Sequence, residues 1–445
     1  MAGLEDLVPD IFFLMLVNAP SMDVLWGFIR ASPRMFAVFR DQRDVILSAV
    51  IIREIGADVL QEAQSALRSS RQLLRGIVSK KETLEWIATY EVEHSHDQPL
   101  QQTLLAAGVI PLWRQHRSVK SLASIYVRER LHIARHGFGG AENEESSQGG
   151  RCYDMEDLSD TEKSRLFRGF YRFAIYGNLF FCNYRRKIKD TIYAPEQCDN
   201  FLCLFPSWQV EELSCVNDFV TDKILEKWQE LEENAYNALI AADPSTWDLE
   251  KPAYHSRWEF DFFSTSEKLQ WQEAYHRYFA TLKLPTLVSL FMAQNDQLLQ
   301  IVKENCDGKW PHDFLFEALD HDPYYSQLIE SKKDEHEQKV SAGVRIQFDR
   351  DSVSEANEAW LWAHKYQSCD LYVQSSHENE IGEGLRRFGY VFWDSSRLHD
   401  AGILEKDPVQ ISKESLVKFP RPKYNEASVE DRLRKFAQSQ KSIGQ

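Results

Sequence analysis

The stretch 4-LEDLVPDIFFLMLVNAPSMDVLWGFIRASPRMFAVFR-40 places three helix signals in under forty residues. An apolar run from Ile11 to Val17 follows Leu7 and Pro9, and Asn18-Ala19-Pro20 stops it, because the residue before a proline disfavours helical backbone. A second apolar helix is predicted around Leu25, Phe28 and Ile29. Ser32-Pro33 then restarts the chain as a cap followed by a first-turn proline, opening a third helix with Phe36 and Phe39. Helices this short are not stable alone, so they must pack together or on a partner. Nine of the ten residues from Ile11 to Pro20 are apolar. One face of a two-turn helix needs fewer, so a surplus is left for another element or another chain.

Moving outward, helical periodicity continues to residue 136. The run 45-VILSAVIIREIG-56 repeats apolar residues at three and four and ends on Gly56. Next come 58-DVLQEAQSALRSS-70, with Asp58 as the expected cap, then 83–92 and 100–136, which Pro111 should kink or break. The segment 137-GFGGAENEESSQGG-150 is nearly free of apolar residues and cannot offset its ordering entropy, so a flexible acidic loop is expected over 137–157. Beyond it, Ser159 and Glu162 form a capping box opening a helix over 160–177, and further helices are predicted over 207–239, 266–282 and 285–304. Only 343-GVRIQF-348 and 390-YVFWD-394 read as strand-like. The fold class is therefore mainly α, with a larger irregular helical body over 158–404 and an extended tail with a short terminal helix over 405–445.

The chain of 445 residues is 43 % hydrophobic and 27 % charged, a composition suited to a folded protein. Lys and Arg number 52 against 68 Asp and Glu, a net charge of −16. That balance argues against a sequence-independent nucleic-acid binder, which requires a basic surface. The charge is uneven: residues 1–135 hold 16 basic against 15 acidic side chains, and the remainder 36 against 53. Two surfaces with different partners are expected. No apolar stretch has the length of a membrane span and the start lacks a secretory pattern, so a cytoplasmic or nuclear location is expected. Seven cysteines without a CxxC pair read as reduced, mostly buried thiols.

No nucleotide loop, HExxH, GxSxG or GxGxxG motif stands in the sequence. The Glu-x-x-His pairs Glu91–His94, Glu129–His132 and Glu273–His276 match the spacing of carboxylate-bridged metal helices. The composition alone predicts about one such pair by chance, and exposed or core-edge histidines are the expected reading. His136 suits the C-terminal dipole of its helix. The aromatic runs 170-FYRFAIYGNLFF-181 and 258-WEFDFF-263 read as core, and Arg165, Arg168 and Arg172 as partners for carboxylates rather than a phosphate site. No cofactor, metal or catalytic group is expected, nor an enzyme.

The N-terminal arrangement resembles the F-box, the three-helix module that docks on the Skp adaptor of cullin-based ubiquitin ligases. Leu7, Ile11, Met15, Leu16 and Leu25 fall on its apolar positions and Asp10 stands where its Glu is usual. Val8 occupies the place of its proline, with Pro9 adjacent, and Ser21-Met22 replaces Asp-Leu. The continuation 31-ASPRMFAVFR-40, the block Leu158 to Tyr176, 208-WQVEELSCVNDFV-220 and 385-LRRFGYVFWDSSRL-398 are similar to fungal F-box-like proteins. The resemblance implies an F-box-like module over 1–56, a helical extension over 57–136, and adaptor contact through Leu7, Pro9, Ile11, Met15, Leu16 and Leu25. It implies a substrate receptor, with catalysis in other subunits; separately, the carboxylate surplus of the body predicts a target with a basic face. A helical scaffold without adaptor binding is the competing expectation, and a metal-dependent helical enzyme a remote one.

Overall fold

A computed structural model describes residues 8–74, 79–95, 106–138, 153–180, 191–241, 278–305, 315–319, 357–363, 380–420, 432, 435–436 and 438–439. Among them the protein is mainly helical and contains no strand. The three short N-terminal helices form where expected: α1 (Pro9–Val17), α2 (Met22–Ala31) and α3 (Pro33–Asp41). Ser21 and Ser32 cap α2 and α3, accepting from the Val24 and Met35 amides at 3.3 and 3.4 Å. All three rest on α4 (Arg43–Ile55), which ends at Gly56 with a φ of 93°. A short 3-10 turn over 57–59 then leads into α5 (Leu60–Leu74), so Asp58 lies inside that turn instead of capping the helix.

After α6 (Lys80–Ser95), α7 (Ala106–His136) runs unbroken through Pro111. The expected break is absent because proline this close to the helix start removes one early hydrogen bond and leaves the later ladder intact. The acidic-loop expectation over 137–157 falls mostly outside the described residues. Its end is ordered: Asp154 caps a 3-10 turn over 155–157 and Met155 is buried.

Helix α8 (Asp160–Phe180) is the centre of the molecule, packed by α5, α7 and α10 (Ser207–Ala241). The Ser159–Glu162 capping box is present in both directions, with the Ser159 amide donating to Glu162 at 3.0 Å and the Glu162 amide to Ser159 Oγ at 3.1 Å. The aromatic run on α8 is core, with Phe170, Tyr171, Phe173 and Tyr176 sealed from solvent. The other aromatic run, 258–263, lies outside the described residues. Between α8 and α10 stands α9 (Ala194–Asn200).

The helix predicted over 285–304 is two helices, α11 (Leu284–Met292) and α12 (Asn295–Asn305). Asn295 takes a φ of 49°, a left-handed conformation that Asn tolerates better than most side chains, and the chain turns there. The Ala293 carbonyl at the break accepts from Lys227 Nζ of α10 at 2.9 Å. After α13 (Leu315–Leu319) and α14 (Glu358–Ala363) comes α15 (Glu380–Phe388). The strand-like reading of 390–394 is corrected to a 3-10 turn over 390–392 that leads into α16 (Ser395–Asp400). Gly389, at a φ of 70°, redirects the chain so that Tyr390, Val391, Phe392 and Trp393 are all buried rather than alternating. The other strand-like piece, 343–348, lies outside the described residues. Where an extended tail is predicted, α17 (Pro408–Lys418) packs on α15, capped by Asp407. Arg432 further along reaches Glu233 of α10 at 2.7 Å.

Candidate docking surface on the N-terminal module

Helix α1 is apolar on every side, so its rotation decides which residues serve the interior. Phe12 and Leu16 point inward and are sealed, and Leu25 of α2 joins them. The opposite side carries Ile11 at 40 % and Leu14 at 52 % exposure, with Val8 exposed at the helix entry. Pro9 is exposed and Met15 half-buried. The six residues predicted for adaptor contact therefore divide. Pro9, Ile11 and Met15 are accessible, Leu16 and Leu25 belong to the module's own core, and Leu7 lies outside the described residues. Among the described residues, six of the ten exposed large apolar side chains fall between Val8 and Val45, with Val24 and Phe36 contributing from α2 and α3. Apolar exposure is concentrated on this module, which is the pattern of a contact surface rather than of scattered surface residues.

Two charged residues of α4 hold the module in place, and nothing in the local sequence pattern singles them out. Arg53 Nη1 donates to the Val17 and Ala19 carbonyls, each at 2.9 Å, satisfying acceptors left open where α1 ends. Glu54 accepts from the Met22 amide at 2.9 Å, placing a carboxylate at the positive end of α2. Lys120 of α7 lies 3.4 Å from the same carboxylate and ties the module to the body. The outward apolar face of α1 thus rests on a braced support.

The remaining chemistry-bearing residues are absorbed by the interior. A helix buried on all sides cannot keep cations without partners, because isolated buried charge costs several kcal/mol. Each α8 arginine accordingly meets a carboxylate: Arg165 Nη1 lies 2.9 Å from Asp394, Arg168 Nε 2.8 Å from Glu212, and Arg172 Nε 2.7 Å from Glu62. Glu162 receives Arg397 through two bonds of 2.6 Å. Arg386 and Arg387 of α15 pair with Asp218 and Asp222 of α10 at 2.8 and 2.9 Å. The arginine reading from the sequence therefore holds.

Burial alone would raise the Glu62 carboxyl. Arg172, His94 and the Tyr90 hydroxyl, which donates at 2.7 Å, together hold it below the ordinary carboxylate value. Burial pushes the Cys215 thiol well above its usual range, which leaves it protonated and unreactive. Cys203 donates its S–H to the Asp199 carbonyl at 2.7 Å. His116 is sealed between α7 and α8, sharing a 2.7 Å hydrogen bond with the Tyr171 hydroxyl. Burial, with Lys120 adding repulsion, lowers its pKa to about 3, so the ring is neutral.

Of the Glu-x-x-His pairs, Glu129 is engaged by Lys223 at 2.6 Å, and His132 stacks edge-on against His136. His136 in turn shares a 2.6 Å hydrogen bond with the Tyr153 hydroxyl. His94 shares a hydrogen bond with the Tyr90 carbonyl, and Glu273–His276 lies outside the described residues. Among the described residues no group of three or more His, Cys, Asp or Glu is placed to hold a metal, and no helix is long and apolar enough to cross a membrane. No protein-family model matches the chain, and neither the curated proteins nor the solved structures contain a significant match.

Proposed function

We propose that the N-terminal three-helix module is a protein-docking element, and that the chain is a substrate receptor joined through it to a Skp-type adaptor. One observation carries the docking half of this reading: α1 keeps Ile11 and Leu14 outward while Phe12 and Leu16 are sealed in the interior, with Phe13 and Met15 packed beside them. An amphipathic groove on a partner accepts such a ridge through a few central apolar anchors. The identity of the adaptor rests on the resemblance of residues 4–40 to the F-box. The acidic body would then select a target with a basic face.

The test is capture of purified Skp-type adaptor by the full chain, compared with Ile11→Asp and Leu14→Asp. Capture by the wild type, lost in both variants with unchanged helical circular dichroism, supports the proposal. Absence of capture by the folded wild type overturns it, as does equal capture by the variants. A second reading is favoured by Leu16 and Leu25 being internal: the module is a structural cap of a helical scaffold, and its outward face meets some other protein. That reading is supported if the wild type is folded, monodisperse and indifferent to the adaptor.

A further inference from the structure

A cavity of about 220 Å³ opens between α5, the start of α7, the middle of α8 and the segment 281–285 leading into α11. Its existence follows from small residues. Ala174 and Gly177 stand one turn apart on α8, and a Cβ added at Gly177 would meet nothing nearer than the Thr281 carbonyl at 3.8 Å. Phe173, Leu67 and Pro111 supply apolar walls. Arg114 and Lys283 also line the cavity, and both are exposed. In a chain with a net charge of −16, where the three arginines of α8 are each matched with a carboxylate, neither cation has an ion-pair partner among the described residues.

The lining is largely apolar, with Ser70, Gln115, Asn178 and Thr281 adding polar groups, and two uncompensated cations flank it; such a chamber suits a hydrophobic body with a single anionic end. Its size sets the body. An apolar cavity of about 150 Å³ admits benzene, so this one takes a molecule of roughly ten non-hydrogen atoms. We propose that this cavity is a binding site for a small monocarboxylate, with the apolar portion over Ala174 and Gly177 and the carboxylate between Arg114 and Lys283. The site is remote in its chemistry from the docking face and stands independently of the adaptor proposal.

Octanoate has the required size and charge, with octanol and octylamine as neutral and cationic counterparts. Isothermal calorimetry and ligand-observed NMR on the full chain are expected to show saturable octanoate binding, with octanol at least about tenfold weaker, as loss of charge-assisted contacts implies. The double variant Arg114→Glu/Lys283→Glu alters only exposed side chains and should weaken octanoate by about tenfold or more while leaving octanol unchanged. Gly177→Leu, which fills the floor, should abolish binding of both. Failure of octanoate to saturate at millimolar concentration overturns the proposal, as does octanol or octylamine binding equally well, or octanoate binding unaffected by the double variant. Should Gly177→Leu not fold, the comparison of octanoate with octanol in the double variant decides alone.

Discussion

At the scale of single residues, His116 has a measurable signature. Its folded pKa near 3 lies below the ordinary 6.5, so the unfolded chain binds a proton that the folded chain refuses. Stability from this group is full above about pH 6.5 and falls as the pH drops toward 3, by on the order of 4 kcal/mol in total. Urea midpoints measured between pH 7 and 5, above most carboxylate titration, should fall more steeply in the wild type than in His116→Gln. Equal slopes would mean that the ring is hydrated or already charged. Residue identity was partly legible beforehand. Three arginines at positions three and four apart on an otherwise aromatic helix demand carboxylate partners, and they have them. Which carboxylates they meet was not legible: Glu62 lies 110 residues from Arg172, and Asp394 lies 229 residues from Arg165. Pairing at such separations is decided by tertiary packing, for which a periodic pattern has no signal.

Among elements, α1 separates two roles that its composition cannot distinguish. Leu16 is sealed and Leu14 half open, two residues apart on the same apolar run. Leu16→Ala should cost about 2–5 kcal/mol in chemical denaturation, the range for a large-to-small change in a core. Leu14→Ser should fall within about 1 kcal/mol of the wild type. Comparable losses in the two would mean that the helix is rotated from the orientation described. The existence of α1 to α8 and α10 followed from apolar spacing, proline positions and the Ser159–Glu162 box. Helices α9 and α13 to α16 carried no periodicity that the sequence reading used, and three further features escaped for identifiable reasons. The turn at Asn295 depends on a left-handed conformation that the apolar rhythm of 285–304 conceals. The 3-10 turn over 390–392 follows from Gly389, where an added Cβ would overlap the Tyr126 hydroxyl oxygen at 1.9 Å. Helix α17 did carry a local signal, Asp407 followed by Pro408, a cap and first-turn pair of the kind that marks α3.

For the whole molecule, the charged interior makes α8 the point at which distant parts of the chain depend on one another. Arg172 joins α8 to Glu62 of α5 and also donates to Gln209 of α10 at 2.7 Å. Arg172→Met strands a buried carboxylate and should destabilise the protein by about 3–5 kcal/mol. Adding Glu62→Gln removes the stranded charge, and the double variant should recover most of that loss. Calorimetry and urea unfolding of the three proteins give the comparison. If the double variant were as unstable as the single one, packing of the arginine stem would outweigh the charge. The acidic balance was visible in composition and the helical class in apolar periodicity, but this mutual dependence was not, because burial of a charged residue is a property of the assembled fold.

The same pairing has a consequence during synthesis. Arg165 is incorporated 229 residues before Asp394. At about 5–20 residues per second, the interval is roughly 10–50 s. Throughout it, the central helix of the nascent chain carries a cation whose counterion has not been translated. Phe392, which packs beside Gly169 of the same helix, is also still to come. Completion of this core therefore waits until residues 392–394 have been made, and until then apolar surface of the growing polypeptide stays uncovered.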